Sequence, residues 1–379
     1  MSSNKLPDIG ESIFSKMSNM ALDYDAINLS QGFPDFDTDP VLIDLVTKAM
    51  KDGYNQYAPL PGIYSLREQI SQMIGNLHGK TYDPESEITI SVGASEALFC
   101  AITAFVHQDD EVILLKPAYD IYEPAIALQG AKPVSVQMEA PYTSINWDAV
   151  KQKISSRTRM IVINTPHNPS GMMFSKNDMQ QLENLVKDTD ILVLSDEVYE
   201  HMAYDSREHE SAARFPHLAE RALITGSFGK TFHITGWKMG YCLAPKALTT
   251  DFRKVHQLNV FCVQHPVQRA MAEYLKNDQN YLNLGRFYQQ KRDFFNEKIS
   301  ASRFKFVPTQ GSYFQLLDYS AITDEPDTAF AERLTQEHGV ASIPVSVFNK
   351  DGKDDKYLRF CFAKSDETLA KAAEILNAI

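Results

Sequence analysis

Lys230 and Asp196 are the residues of this sequence whose surroundings point most clearly to chemistry. Lys230 stands in SFGKT, just after the apolar run Ala222–Thr225. A lysine at the carboxyl end of a buried strand faces the edge where α/β folds take their ligands. Desolvation there favours the neutral amine, which is the form that attacks a carbonyl carbon to give a Schiff base. Asp196 closes the run ILVLSD, so its carboxylate is expected at the mouth of a second buried strand. A buried carboxylate is costly unless paired, and a protonated pyridine nitrogen is a fitting partner. At about 4 Å and an effective dielectric near 20 the attraction is roughly 4 kcal/mol, or about three pKa units on the ring nitrogen. A ring held protonated is an electron sink for a substrate carbanion. Tyr199 lies three residues on, within reach of a ring hydroxyl. Taken singly, each residue has an ordinary alternative: a solvated turn lysine, and an aspartate capping the next helix.

Two further segments add binding groups. In SVGASEALFCAI a strand leads through Gly93, Ala94 and Ser95 into an amphipathic helix. Free N–H groups and the helix dipole then converge on an anion such as phosphate. Ser227 and Lys238 are placed to add a hydroxyl and a charge. In INTPHNPSG, Asn164 ends a strand and two prolines force an extended turn that presents Asn168. His167 reads as a loop residue rather than a base.

These residues need a scaffold that brings strand ends together. Seven short apolar runs recur along the chain: Ile88–Val92, Glu111–Leu115, Pro133–Met138, Met160–Asn164, Ile191–Ser195, Ala222–Thr225 and Met239–Leu243. Several are apolar at successive positions, the pattern of strands buried on both faces of a mostly parallel sheet. Segments at helical spacing lie between them, and Ser175 or Asn177 is positioned to cap KNDMQQLENLVKD. The expected fold is α/β, with a doubly wound, mostly parallel sheet. From about residue 275 the texture changes: one long helix over NYLNLGRFYQQKRDFFNEKI, strands in FKFVPTQGSYFQLLDY and KYLRFCFA, and a helix FAERLTQEHG stopped by glycine. This predicts a large domain over 41–274 and a smaller α+β domain from 1–40 and 275–379. The first 40 residues show no strong periodicity.

The chain has 379 residues, 44% hydrophobic and 23% charged, enough for a sizeable core without metal or disulfide staples. Lys plus Arg number 37 and Asp plus Glu 49, a net charge of −12. That balance argues against nucleic-acid or anionic-membrane binding. Four scattered cysteines with no CxxC pair suggest neither a zinc site nor a disulfide framework. There is no signal-peptide pattern and no apolar run of membrane-spanning length. The expected location is cytoplasmic.

Together these segments resemble the class I/II aminotransferases, which are pyridoxal-5′-phosphate enzymes of fold type I. The matching pieces are INLSQGFPDF, YNQYAPLPGIYSLREQI, NTPHNPSG, SDEVYE, SFGKTFHITGWKMG, GSYF and YLRFCFA, in that order over nearly the whole chain. The resemblance implies that Lys230 holds the cofactor and then moves a proton between the substrate Cα and the cofactor C4′. Asp196 would pair with the pyridinium, Tyr199 and Asn168 with the ring hydroxyl oxygen, and Tyr119 would stack on the ring. Gly93, Ala94, Ser95, Ser227 and Lys238 would bind the phosphate. Lys238 stands where many members carry arginine, so its phosphate contact loses the fork. Tyr57 would reach the phosphate of a neighbouring subunit, which implies a homodimer. Arg359 would clamp the substrate α-carboxylate, assisted by Gly32 and Asn168.

Within the family the sequence looks most like the methionine, glutamine and kynurenine-type members. Methionine is the favoured amino donor, with aromatic amino acids and glutamine as alternatives and a 2-oxo acid as acceptor in a ping-pong reaction. Phe33, Tyr64, Tyr119 and Phe348 suit a thioether or aromatic side chain. A dicarboxylate would need a second buried arginine, for which Arg67 and Arg269 are the only options noted. Two rivals share the cofactor contacts: a cysteine-conjugate carbon–sulfur β-lyase and a PLP-binding protein without turnover. The latter usually carries an added DNA-binding module, for which no spare N-terminal segment is apparent.

Overall fold

The structure, a computed structural model, describes residues 4–6 and 9–379. Seven strands form the main sheet, in the order Ile88–Ser91, Gly240–Leu243, Ala222–Ser227, Leu192–Asp196, Thr158–Asn164, Glu111–Lys116 and Lys132–Gln137. Each anticipated apolar run became one of these strands, with ends shifted by one or two residues. Six strands point the same way. Gly240–Leu243 runs antiparallel to both of its neighbours.

Successive apolar positions arise because both faces are covered. Ile113, Ile161, Ile163, Val193 and Ile224 join one cluster, while Val112, Leu114, Val162, Leu194 and Leu223 join the other. Each such side chain stabilises the fold by about 1.5–3 kcal/mol when withdrawn from water. Helices Tyr64–His78, Lys176–Val186 and His265–Tyr274 bury residues in the first cluster; Gly93–Phe105 and Lys246–Asn259 contribute to the second. Ser175 caps Lys176–Val186 in a reciprocal capping box with Asp178.

A third cluster gathers the antiparallel sheet Ile343–Pro344, Tyr357–Cys361 and Phe314–Asp318 with helices Leu284–Lys298, Asp327–His338 and Asp366–Asn377. Two features depart from expectation. The long helix expected after residue 279 is two, Gln279–Leu282 and Leu284–Lys298. At the junction the Asn283 side chain donates back to the Gln279 carbonyl at 3.0 Å, competing for helical backbone. The N-terminal segment, which lacked a clear period, forms helix Ile13–Asp23 capped by Ser12. Its Met17 joins the third cluster. Strand Ile27–Asn28 then pairs parallel with Val340–Ala341. Among the described residues no helix is long and apolar enough to cross a membrane, and no cluster of His, Cys, Asp and Glu is arranged for a metal ion.

Candidate active site

The carboxyl ends of the parallel strands open into a cavity of about 370 Å³, within the range of small-molecule sites. Asp196 and Lys230 both line it. Asp196 is the last residue of its strand and is 3% exposed. Its Oδ2 accepts a 2.6 Å hydrogen bond from the Tyr122 hydroxyl. Its Oδ1 has only a 3.4 Å approach from the Val198 amide, which leaves it open to a stronger donor. Burial pushes this carboxyl up to about 6, against the downward pull of the Tyr122 hydrogen bond. A cation beside Oδ1 would reverse that penalty.

Lys230 lies on the single helical turn Phe228–Thr231, directly after strand Ala222–Ser227. Burial lowers its amine to about 8. At pH 7.5 roughly a quarter of such an amine is neutral, against about one part in a thousand for an ordinary lysine. Its Nζ donates to the Gly32 carbonyl at 3.2 Å.

At the other end of the cavity, helix Gly93–Phe105 begins without any side-chain cap on its first amides. Gly93 has φ +69°, and a Cβ there would sit 3.3 Å from Lys238 Nζ, so the ammonium lies over this turn. Lys238 is itself held at φ +54°, a conformation that costs a non-glycine residue of order 1–3 kcal/mol. Ala94, Ser95 and Ser227 complete the cradle. A Cβ on Gly240 would come within 2.8 Å of the Ala94 amide nitrogen, so glycine there keeps the cradle accessible. Tyr119 forms a wall; burial pushes its hydroxyl up to about 12, opposed by a hydrogen bond with Ser95.

Arg359 enters from strand Tyr357–Cys361 and is 1% exposed. Its neighbours Leu358 and Phe360 pack into the third cluster, while its own side chain lines the cavity. Nη1 donates to Asn168 Oδ1 and Nη2 to the Ser30 carbonyl, both at 2.8 Å. Its guanidinium carbon lies 3.9 Å from the Phe314 ring centroid. Nε is buried without a partner. A fixed, desolvated guanidinium at the cavity wall suits a carboxylate. Asn168 is itself pinned, its amide N–H donating to Asn164 Oδ1 at 2.7 Å.

Gly32, Phe33 and Tyr199 also line the cavity. Two residues expected near it do not. Tyr64 opens helix Tyr64–His78, is 52% exposed, and has the Arg67 guanidinium 5.6 Å from its ring centre instead. Phe348 is buried behind Phe14, with ring centres 5.9 Å apart. Tyr57 is 82% exposed, its ring edge-on to Phe261. His167 bonds only to Ser170 and the Pro117 carbonyl, as a loop residue does. Sequence reading missed Phe14, a cavity wall contributed by the N-terminal helix. Ser12 is a fitting cap for the helix, but nothing local says where its face lands. Tyr122 was missed as well, although it stands three residues after Tyr119.

This donor set asks for a cation against Asp196, an anion over Gly93–Ser95 and a carbonyl carbon near Lys230. A phosphorylated, nitrogen-containing aromatic aldehyde meets all three demands. The chain belongs to the aminotransferase class I and II family, whose model matches residues 24–376, and it is a pyridoxal-phosphate-dependent aminotransferase. It is 45% identical over 377 residues to a methionine aminotransferase of Escherichia coli, covering 99% of this chain and 98% of that one. A crystal structure from Escherichia coli, reported with a methionine aminotransferase function, superposes with a TM-score of 0.98 at 45% identity, each chain fully covered. A kynurenine–oxoglutarate transaminase of Dictyostelium discoideum is 34% identical, over 99% of this chain and 95% of that one.

Proposed function

We propose that this aminotransferase takes methionine as its favoured amino donor, with Lys230, Asp196 and Arg359 as the residues on which the reaction turns. The observation that carries the substrate reading is the composition of the cavity wall. Phe14, Phe33, Tyr119 and Phe314 line it, and among the described residues Arg359 is its only arginine. Arg67 is tied to Glu85 and the Gly62 carbonyl, and Arg269 lies over Tyr54, both away from the cavity. A side-chain carboxylate would therefore be desolvated without a partner. The name of the Escherichia coli relative supports the same choice.

Pyridoxal phosphate, when bound, supplies an electron sink conjugated to the substrate Cα. Asp196 Oδ1 holds a proton on the ring nitrogen by its charge. Asn168, with its Oδ1 engaged by Arg359, has its Nδ2 left to donate to the ring oxygen together with Tyr199. Ala94, Ser95, Ser227 and Lys238 bind the phosphate over the Gly93 turn, and Tyr119 covers one ring face. Arg359 orients the substrate carboxylate beside Gly32. Lys230, with its lowered pKa, would take the proton from the substrate Cα and return it to the cofactor C4′.

Mixing single amino acids with the holoenzyme tests the substrate. Methionine is expected to bleach the cofactor's visible absorbance at least about 100-fold more efficiently than aspartate, a gap of roughly 2.7 kcal/mol. Bleaching by aspartate with methionine inert overturns this reading. Pyruvate and ammonia released from a cysteine conjugate without added oxo acid would favour the β-lyase.

The protein is further read as a homodimer in which Tyr57 serves the neighbouring site. Tyr57 (82% exposed), Phe261 (46%) and Leu258 (87%) support this as large apolar side chains in solvent. Sedimentation as a monomer at micromolar concentration would remove it.

A further inference from the structure

The Gly32 carbonyl receives two hydrogen bonds from different parts of the chain. Lys230 Nζ donates to it at 3.2 Å and the Tyr313 hydroxyl at 2.6 Å. We propose that Tyr313 is a positioning residue, orienting the Gly32 carbonyl as the docking point of the Lys230 amine; this rests on the role given to Lys230 above.

A carbonyl oxygen has two lone pairs, and here both are taken. Tyr313 is fully buried, and burial raises its hydroxyl well above the usual tyrosine value, so it remains a donor throughout the working pH range. Its ring is edge-on to Tyr199 at 5.2 Å and leans on Tyr288 at 5.7 Å, which fixes where the hydroxyl points. Gly32 fits only because it lacks a side chain: a Cβ would come within 2.7 Å of the Phe314 ring and 3.0 Å of Tyr313. The surrounding loop has other anchors. Lys364 Nζ donates to the Phe33 carbonyl at 2.8 Å, Thr368 Oγ1 to Asp35 at 2.7 Å, and the Cys361 amide to the Leu29 carbonyl at 2.8 Å. Removing the Tyr313 hydroxyl therefore leaves the loop in place and frees the carbonyl to tilt. The lysine must leave the cofactor in one half-reaction and return to it at the end of the other. A carbonyl accepts from both its neutral and its charged form, so the docking point holds the nitrogen without consuming its lone pair.

Tyr313→Phe keeps the ring and removes the donor. In the holoenzyme kcat is expected to fall about tenfold with KM for the amino donor within about twofold, the loss of one buried hydrogen bond. The isotope effect of a Cα-deuterated donor on kcat rises, because the lysine's proton transfer is the step slowed. Independently of turnover, pyridoxal phosphate added to the stripped full-length enzyme restores the visible band about tenfold more slowly, to the same final amplitude. A wild-type isotope effect and recombination rate, or a raised KM with unchanged kcat, overturns the proposal. Lys230→Ala run in parallel separates the two readings. If that variant keeps the visible band, the role of Lys230 is wrong. If it loses the band while Tyr313→Phe behaves as wild type, only the role of Tyr313 is wrong. Should Tyr313→Phe not fold, 3-fluorotyrosine at position 313 changes donor strength at nearly constant shape. A recombination rate different from wild type then supports the proposal, and an identical rate overturns it.

Discussion

Lys230→Ala abolishes the Schiff-base absorption band of bound pyridoxal phosphate and lowers kcat by at least about 10⁴-fold. Two losses combine in this variant. The covalent anchor disappears, and with it, among the described residues, the only amine whose Nζ reaches the Gly32 carbonyl beside the cavity. General acid–base transfer alone is worth roughly 10²–10⁴-fold, and loss of the covalent route adds to it. Lys238, the other lysine of the cavity, lies over the Gly93 turn and does not substitute. The fold survives, because Phe228 and Phe232 of the same turn stay packed in the main core. An absorption spectrum and single-turnover kinetics check this. A variant that retains the band, or more than about 1% of kcat, removes Lys230 from both roles.

Asp196→Asn is expected to cost about 10³-fold in kcat while the cofactor remains bound. The substitution keeps the shape and lets Tyr122 still donate to the side-chain oxygen, but it removes the charge and puts an NH2 donor where Oδ1 faced the ring nitrogen. An interaction of roughly 4 kcal/mol between that charge and the ring proton sets the scale, since each 1.4 kcal/mol is a factor of ten. Stability provides a separate readout. Burial raises the folded-state pKa of Asp196 to about 6, so the folded protein binds this proton more tightly than the unfolded chain. In the stripped protein the contribution is present below about pH 4 and lost as pH rises through about 6, by at most roughly 3 kcal/mol. Asp196→Asn flattens that part of the profile, and cofactor restores stability to the wild type at neutral pH. Chemical denaturation at pH 4, 5, 6 and 7 tests the sign; identical slopes in wild type and variant would count against the assignment.

Much of the site was legible because its residues sit at the ends of strands that announce themselves. ILVLSD and ALITGS are apolar on both faces, so the polar residue that closes each one must come out at the ligand edge. Asp196 and the lead-in to Lys230 followed from that alone. Phe14, Tyr122 and Tyr313 were harder to see, since each acts across a long sequence separation: Phe14 meets Tyr119, Tyr122 meets Asp196, and Tyr313 meets Gly32. No local period encodes such meetings. Tyr64 shows the opposite failure. Its motif suggests a wall of this cavity, but at the first position of its helix the ring is 52% exposed and away from it. The break at Asn283 was missed because the flanking residues are good helix formers, and the asparagine's competing hydrogen bond is visible only in three dimensions.

The reversed strand Gly240–Leu243 governs how the enzyme tolerates insertions. A parallel neighbour would need a long crossover behind the sheet, whereas this strand begins at the edge where Ala222–Ser227 ends. The stretch between them is short: it carries Ser227, Lys230 and Lys238 at the cavity while Phe228, Phe232 and Ile234 pack into the main core. Its cavity-facing and core-facing residues are both fixed by packing, which leaves little slack in which an extra residue could be absorbed. Lengthening it by even one position would shift the amine against the phosphate cradle, while added residues at the exposed helix end near Gly79 displace nothing in the site.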